Sequence, residues 1–323
     1  MTRPAAAATG LMLALVAAAV VAWVLRSGGG KQPASVGEAA AGLPGFQGSA
    51  RCMQCHLTQH REWEGSLHAR TIRKPSQADA DMLGRALLCE QDQAAFVLGE
   101  KHSRRFMVPS PSEPGRHVLL PCRYDVGPGE WVGLHEADWT TLTWEKGCGA
   151  CHSVGFSSDT LTMKEMGVGC ESCHGPDSRH GTHTSGAGMT AFKKSSAREE
   201  ITICASCHLQ GGRSSSTGLN FARNYEPGDD LFADYQFEWA ALDSPATPVD
   251  NPIDVHQKLL IRAAVTAQSQ GYEGLRCTSC HEFHRMGHGK HEKLARQEFC
   301  HLCHEAADFK LKEYNQSCNV CEF

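Results

Sequence analysis

Cys170-Glu171-Ser172-Cys173-His174 is one of six pentapeptides in the chain that share the pattern Cys-x-x-Cys-His. This pattern is the attachment signature of c-type haem. Each thiol forms a thioether to one vinyl group of the haem, and the histidine that follows is placed under the iron as the proximal ligand. Each copy therefore predicts the position of one haem and one of its axial ligands. The predicted attachment cysteines are Cys52, Cys55, Cys148, Cys151, Cys170, Cys173, Cys204, Cys207, Cys277, Cys280, Cys300 and Cys303, and the predicted proximal ligands are His56, His152, His174, His208, His281 and His304.

Two other kinds of site fit parts of this pattern. The 18 residues between Cys151 and Cys170 and the 19 residues between Cys280 and Cys300 match the spacing of zinc ribbons. The even number of cysteines, 16, also allows a disulfide framework. Neither alternative requires a histidine directly after the second cysteine, whereas all six copies have one. The sequence therefore favours haem over zinc and over disulfides.

The composition indicates how such a chain builds its core. With 323 residues the chain is long enough for a sizeable core, yet beyond the N-terminal segment it has few long aliphatic runs. Six rigid, apolar macrocycles would supply the missing apolar surface. We therefore predict a mainly α fold with long loops around a stacked multihaem core. The formal net charge of −5 gives no electrostatic reason to expect nucleic acid as a partner.

The N-terminal segment predicts export. Residues 5–25 form an uncharged, apolar run of 21 residues between Arg3 and Arg26. This length spans a bilayer and exceeds the apolar region of a typical signal peptide. We predict an N-terminal transmembrane helix that anchors the protein in the cytoplasmic membrane, with a cleaved signal as the alternative. Both alternatives place the rest of the chain outside the cytoplasm, either anchored on the periplasmic side or soluble in the periplasm or outside the cell.

Changes in composition along the chain predict its domains. The Gly-rich and Ala-rich segment before the first haem motif indicates a flexible tether. The predicted division is an anchor or signal in residues 1–26, a linker in 27–47 and a multihaem domain in 48–323, with sub-lobes 48–146 and 147–323.

Residues 86–145 contain no copy of the motif. Their runs FVLGEKHSRRFMVP and RHVLLPCRYDVG are short, rich in β-branched and aromatic residues and separated by Pro and Gly, so they predict a small β-hairpin insertion near residues 90–130. A disulfide between Cys89 and Cys122 stays open, because the sequence does not fix the distance between them.

The last third of the chain contains one clear helix signal. Residues 254–265 predict an amphipathic helix that leads into the last two motifs. Near the chain end, Cys318 and Cys321 form a Cys-x-x-Cys pair that is followed by Glu322 instead of histidine. Because the proximal ligand is missing, we count no seventh haem there.

Residues 48–304 resemble the multihaem c-type cytochromes with repeated Cys-x-x-Cys-His motifs. This group includes the tetrahaem electron acceptor of hydroxylamine oxidoreductase and, more distantly, that oxidoreductase itself and pentahaem nitrite reductase. The stretches that carry the resemblance are 48–69, 167–180 and 274–284. The resemblance implies a mainly α fold with parallel and perpendicular haem pairs. It also implies that His68, His180 and His284 are distal ligands of neighbouring haems.

Twelve histidines lie outside the six motif positions, which is enough to supply a second histidine to every iron. After the three implied by the resemblance, the next candidates for distal ligands are His256 and His301, followed by His183 and His291. We expect the others, including His102 and His117, to be solvated polar residues. Three methionines could ligate instead but are expected to pack in the core: Met82, Met107 and Met166.

These features predict an exported multihaem c-type cytochrome that relays electrons through six covalently bound haems with mostly bis-histidine ligation. Its expected partners are redox proteins or membrane donors linked to quinol. The main alternative is a multihaem oxidoreductase that converts a small nitrogen or sulfur compound at one haem with an open coordination position. A weaker alternative is a module that signals its redox state to a partner.

Overall fold

The computed structural model describes residues 42–86, 94–133, 142–179, 192, 194–243, 252–266 and 276–285. All of them belong to one compact unit that spans residues 41–323. The predicted N-terminal helix, in residues 5–25, lies outside these ranges. Within the ranges that the structure describes, no helix has both the length and the apolar character needed to cross a membrane.

A five-stranded antiparallel sheet dominates the first half of the described chain. Its strands pair in chain order, each with the next, so the sheet is a simple meander. The longest pairing joins β3 to β4, and its register shifts between Arg105 and Met107. The five strands are β1 (Ile72–Arg73), β2 (Phe96–Leu98), β3 (Ser103–Pro109), β4 (His117–Asp125) and β5 (Glu130–Gly133).

This sheet corrects the fold class predicted from the sequence. The prediction of a mainly α fold with a small hairpin near residues 90–130 is wrong, because the sheet has five strands and begins at Ile72. The first two strands, β1 and β2, have only two and three residues. A strand of two or three residues is too short to show an alternation of apolar and polar residues in the sequence. Only its hydrogen bonds to the neighbouring strand identify it.

Both faces of the sheet are buried. Consecutive residues of a strand point to opposite faces, and here Phe106 and Met107 belong to two different apolar clusters. Phe106 packs with Leu83 of a helix that follows β1, whereas Met107 packs with Trp144, four residues before the second haem motif. The sheet therefore has a side that contacts haem-binding sequence directly.

Half of the described α-helices are single turns of four residues. Only three of them have eight residues or more, and the longest, Pro252–Val265, confirms the amphipathic helix predicted at 254–265. The helices are α1 (Ser49–Cys52), α2 (Leu57–Glu64), α3 (Gln77–Leu83), α4 (Trp144–Gly147), α5 (Glu171–His174), α6 (Ala197–His208), α7 (Pro252–Val265) and α8 (Cys277–Cys280).

A second core holds α6 against α7. Ile201 and Ala205 of α6 pack with Ile261 of α7 and with Tyr235, and all four are buried. Tyr235 belongs to β9 (Tyr235–Gln236), which pairs with β8 (Arg213–Ser214). A second two-stranded sheet joins β6 (Ser153–Val154) to β7 (Glu165–Met166) between the second and third haem motifs.

A buried carboxylate ties α3 to the sheet. Asp79 has a side chain with no exposed surface, and it accepts hydrogen bonds from Arg73 of β1 at 2.5 Å and from Arg104 of β3 at 3.1 Å. It also closes the N-terminal capping box of α3 with Ser76. The hydrogen bond from Arg73, followed by those from Ser76, holds the pKa of Asp79 well below its usual range.

Replacing Asp79 with asparagine is expected to destabilise the protein by about 3 kcal/mol, because it removes the buried charge that pairs with the partly exposed Arg73 and Arg104. Because the folded-state pKa is depressed, this contribution is present above the ordinary value of 3.8 and is lost as the pH falls towards the folded value. Denaturant unfolding followed by far-UV circular dichroism measures the loss. Asp81→Asn, on an exposed position of the same helix, is the control. Equal midpoints for the two variants would contradict the prediction.

Candidate functional site

We number the Cys-x-x-Cys-His copies in chain order, and each described copy forms one helical turn. In motif 1 the amide N–H of His56 donates to the carbonyl of Cys52 at 2.9 Å, and the same bond joins Cys170 to His174 in motif 3 at 3.0 Å. This turn places both cysteines and the histidine on one side of the helix. The copies are motif 1 at residues 52–56, motif 2 at 148–152, motif 3 at 170–174, motif 4 at 204–208, motif 5 at 277–281 and motif 6 at 300–304.

Thiols of different motifs are in contact at three places. Cys52 of motif 1 hydrogen-bonds with Cys170 of motif 3, and the shared proton raises the pKa of Cys52 and lowers that of Cys170 to about 7. The other two contacts join motif 2 to motif 4 through Cys151 and Cys207, and motif 4 to motif 5 through Cys204 and Cys277. Motif 4 therefore touches two other motifs within the described part of the chain.

His68 lies at the centre of a group of motif histidines. Its imidazole is largely buried, and burial, followed by the nearby His208, His281 and His152, lowers its pKa to about 4. The ring centres of His68 and His208 are 6.3 Å apart, and their planes meet at 71°. Burial also lowers the pKa of His208. The sequence separates His68 from these three histidines by more than 80 residues, so the fold has assembled a neutral imidazole cluster.

A second pair joins motif 3 to the segment after motif 5. The ring centres of His174 and His284 are 6.4 Å apart, and their planes are within 21° of parallel. His284 belongs to a 3₁₀ turn, Phe283–Arg285. Phe192 packs edge-on against His174, with 5.3 Å between the ring centres.

The two ring separations fit one iron between two imidazoles. A metal–imidazole bond is about 2 Å long and the ring nitrogen lies about 1.2 Å from the ring centre, so two axial imidazoles of one iron have centres about 6.4 Å apart. The observed 6.3 Å and 6.4 Å match this distance. In addition, Nδ1 of His152 is buried and has no hydrogen-bond partner among the described residues. The two ring separations agree with residues that could hold a metal-centred group.

Buried glutamates connect the motifs to the rest of the fold. Their burial was not predicted from the sequence. Glu145 is buried next to motif 2, and Oε1 of its carboxylate lies 3.0 Å from Nδ1 of His117 on β4. His117 was expected to be solvated, and the structure instead gives it a link between the sheet and motif 2. Glu171 and Glu200 are also fully buried, and each contacts a second motif or the segment that leads into it.

Several predicted site residues lie outside the described residues. Among them are the predicted distal ligands His180 and His301 and the further candidates His183 and His291, while His256 lies on α7 with a side chain that the structure does not describe. Motif 6, with Cys300, Cys303 and His304, and the chain-end cysteines Cys318 and Cys321 also lie outside, as does the side chain of Cys280.

The predicted packing role of the methionines is confirmed. Met107 is fully buried within the sheet, Met82 packs against the cluster around Phe106, and Met166 packs against the cluster around Trp144. All three side chains thus have apolar partners.

The described cysteines bear on the disulfide and zinc alternatives for the motifs. None of the nine motif cysteines with a described side chain forms a disulfide. No group of three or more Cys, His, Asp or Glu side chains in the described ranges converges as a metal-ion site would require. Cys122 is disulfide-bonded, and Cys89, its predicted partner, lies outside the described residues.

The sequence matches one protein family over a short region. Residues 133–175 match the family described as cytochrome c554 and c-prime. This region contains motifs 2 and 3 and covers less than half of the chain. No curated protein gives a significant sequence match.

Two solved structures resemble the chain. One is the outer cell wall cytochrome OcwA, with a TM-score of 0.59, 19% sequence identity, and coverage of 82% of this chain and 68% of that one. The chain has a cytochrome fold. The other is an undecahaem cytochrome from the S-layer of Carboxydothermus ferrireducens, with a TM-score of 0.48, 16% identity, and coverage of 86% of this chain and 45% of that one. The family match and the shared fold imply covalently bound haem c.

Proposed function

We propose that the protein is an exported multihaem cytochrome c that relays electrons through six covalently bound haems. The observation that carries the proposal is the pair of histidine couples, His68 with His208 and His174 with His284, at the separation of two axial ligands. Bound haem c supplies reversible one-electron chemistry. The residues of the chain hold the haems, orient their ligands and exclude water.

The two couples support an assignment of two distal ligands. His68 serves the haem attached at Cys204 and Cys207, and His284 serves the haem attached at Cys170 and Cys173. In both cases the distal ligand comes from a segment next to another motif, so each iron joins two parts of the chain. Two imidazoles keep the geometry and charge of an iron nearly constant between its oxidation states, which suits electron transfer more than substrate binding.

The thiol contacts support a route within two groups, motifs 2, 4 and 5 and motifs 1 and 3, and the pair His174–His284 brings the two groups together. Motif 2 touches motif 4, motif 4 touches motif 5, and motif 1 touches motif 3. Haems attached at such positions would have neighbouring edges, which makes each one a donor or acceptor for the next. The ring of His68 lies among the motif histidines of this group and excludes water from it.

Export and partners complete the proposal. Attachment of haem c takes place outside the cytoplasm in the cytochromes that the chain resembles. The structurally similar OcwA is an outer cell wall cytochrome. We therefore infer an extracytoplasmic location. Its proposed partners are redox proteins or quinol-linked membrane donors, which exchange electrons with it. We also propose that it is related to the tetrahaem acceptor of hydroxylamine oxidoreductase.

Counting the haems and measuring their spin state tests this function. Intact mass and the pyridine haemochrome assay are expected to give six covalent haems per chain, and EPR of the oxidised protein is expected to show mainly low-spin signals. Replacing Cys300 and Cys303 together with alanine should lower the count by one. A protein without covalent haem would refute the proposal, whereas a strong high-spin signal in the wild type would favour an enzyme with an open coordination position.

A further inference from the structure

Two glutamates with no exposed side-chain surface lie at two of the three contacts between motifs. Glu171 occupies the first variable position of motif 3, and Glu200 lies four residues before the first cysteine of motif 4. We propose that Glu171 and Glu200 are positioning residues that fix the spacing and orientation of neighbouring haems. This inference rests on the proposed electron-transfer function, and neither residue is expected to touch an iron.

Glu200 holds motif 5 against motif 4. Its Oε1 accepts the backbone N–H of Thr278 at 2.7 Å, and its Oε2 accepts the hydroxyl of Thr278 at 2.9 Å. Arg276 lies 3.6 Å from the same carboxylate. Thr278 is the residue directly after Cys277, whose thiol contacts Cys204 at the other side of the junction. The carboxylate therefore fixes motif 5 at the point where its first thioether would form.

Glu171 holds the entrance of motif 1 against motif 3. Its Oε2 accepts the N–H of Gly48 at 2.6 Å, its Oε1 accepts the N–H of Asp177 at 2.7 Å, and Gln47 donates to both oxygens at 3.0 and 3.1 Å. Gly48 directly precedes α1, the helix that ends at Cys52. The thiols of Cys52 and Cys170 meet at this junction. Both carboxylates therefore act at a place where two motifs touch.

A positioning role explains why these two carboxylates are buried. A buried charge is retained only when hydrogen bonds replace its lost hydration. Ionised oxygens accept strong hydrogen bonds from backbone N–H groups, whose positions are fixed by the chain itself. Functional groups must be held within about 0.5 Å of their working geometry by residues that are themselves locked. Glu171 and Glu200 meet this requirement at two junctions far apart in the sequence.

The hydrogen bonds predict different outcomes for glutamine at the two positions. At position 200, the glutamine carbonyl can accept the N–H of Thr278 and its amide can donate to the Thr278 hydroxyl. Only the 3.6 Å ion pair with the partly exposed Arg276 is lost, so Glu200→Gln should keep most of the junction. At position 171, both oxygens accept backbone N–H groups, and an amide NH₂ facing one of them would find no acceptor. Glu171→Gln should therefore disturb its junction nearly as much as Glu171→Ala.

Circular dichroism in the Soret region and stopped-flow reduction of the haem-loaded protein test the proposal. Close haems give a two-signed Soret couplet whose amplitude follows their distance and orientation. Three variants should reduce the couplet: Glu200→Ala, Glu171→Ala and Glu171→Gln. They should also slow the redistribution of electrons about tenfold, the lower end of the effect of losing a residue that orients a metal ligand. Glu200→Gln should resemble the wild type, with the haem count unchanged in all four variants.

Controls separate positioning from general stability. Glu199→Gln changes the same residue type one position away, where the side chain is exposed and closes the cap of α6, and it should leave the couplet unchanged. If an alanine variant fails to accumulate, Thr278→Val and Ser49→Ala remove one hydrogen bond at each junction and should give smaller changes of the same sign. A wild-type couplet in Glu200→Ala and Glu171→Ala would overturn the positioning role, whereas a haem-free wild type would instead refute the proposed function.

Discussion

Replacing His68 with alanine is expected to turn one low-spin haem per chain, the haem attached at Cys204 and Cys207, into a high-spin haem. The reason is the 6.3 Å separation between the ring centres of His68 and His208, at which both imidazoles could bind one iron. An iron that loses one of these ligands has a weaker ligand field. EPR and optical spectra of the oxidised protein measure the change as one haem equivalent.

The same substitution in a second background identifies the haem that His68 serves. With Cys204 and Cys207 both replaced by alanine, His68→Ala should add no further high-spin signal. A full additional signal there would assign His68 to the haem of His152 or His281, which are also close enough to lower its pKa. His102→Ala is the control, because His102 is exposed beside the sheet. If His68→Ala leaves every haem low-spin, the ligand assignment fails.

The sequence was most informative where chemistry fixes residue type and spacing. A cysteine pair and a histidine must lie on one helical turn to hold a haem, so the motif predicts both the turn and the cofactor. The likeness to known cytochromes then singled out His68 and His284 among twelve other histidines, and the structure brings both next to motif histidines. A distal ligand has no fixed spacing from its haem, so its position could be inferred only from that likeness.

The sheet shows where pattern alone is insufficient. Ile72 and Arg73 form a strand of two residues that pairs with Leu98 and Val97, and no local signal distinguishes two such residues from a loop. Tertiary pairing creates this strand. The prediction of a mainly α fold also relied on haem to form the core, whereas Phe106, Met107 and Trp144 provide apolar clusters on both faces of the sheet.

The buried glutamates were missed for a different physical reason. Glutamate is among the residues least often buried, so a sequence places Glu171 and Glu200 at the surface by default. Their burial depends on backbone N–H groups supplied by residues that are distant in the sequence, such as Gly48 and Thr278. No periodicity or spacing within the chain encodes that match.

Removing the haem of motif 4 is expected to interrupt the electron route more severely than removing the haem of any other described motif. Motif 4 contacts motif 2 through Cys207 and motif 5 through Cys204. In the variant with both cysteines replaced by alanine, electrons added in less than stoichiometric amounts should redistribute in two phases. The slow phase should depend on protein concentration, because electrons must then pass between molecules. We expect the redistribution of electrons to slow by more than the roughly 10–100-fold that is typical of losing a residue that orients a metal ligand.

The matched control removes a haem with a different set of neighbours. Motif 1 contacts motif 3 through Cys52 and Cys170, so replacing Cys52 and Cys55 with alanine lowers the haem count by one without removing the link between motifs 2, 4 and 5. That variant should keep one fast, concentration-independent phase for the haems of these three motifs. Equal kinetics in the two variants would show that electrons pass between motifs 2 and 5 without the haem of motif 4. The position of motif 4 between two thiol contacts would then have no role in the route.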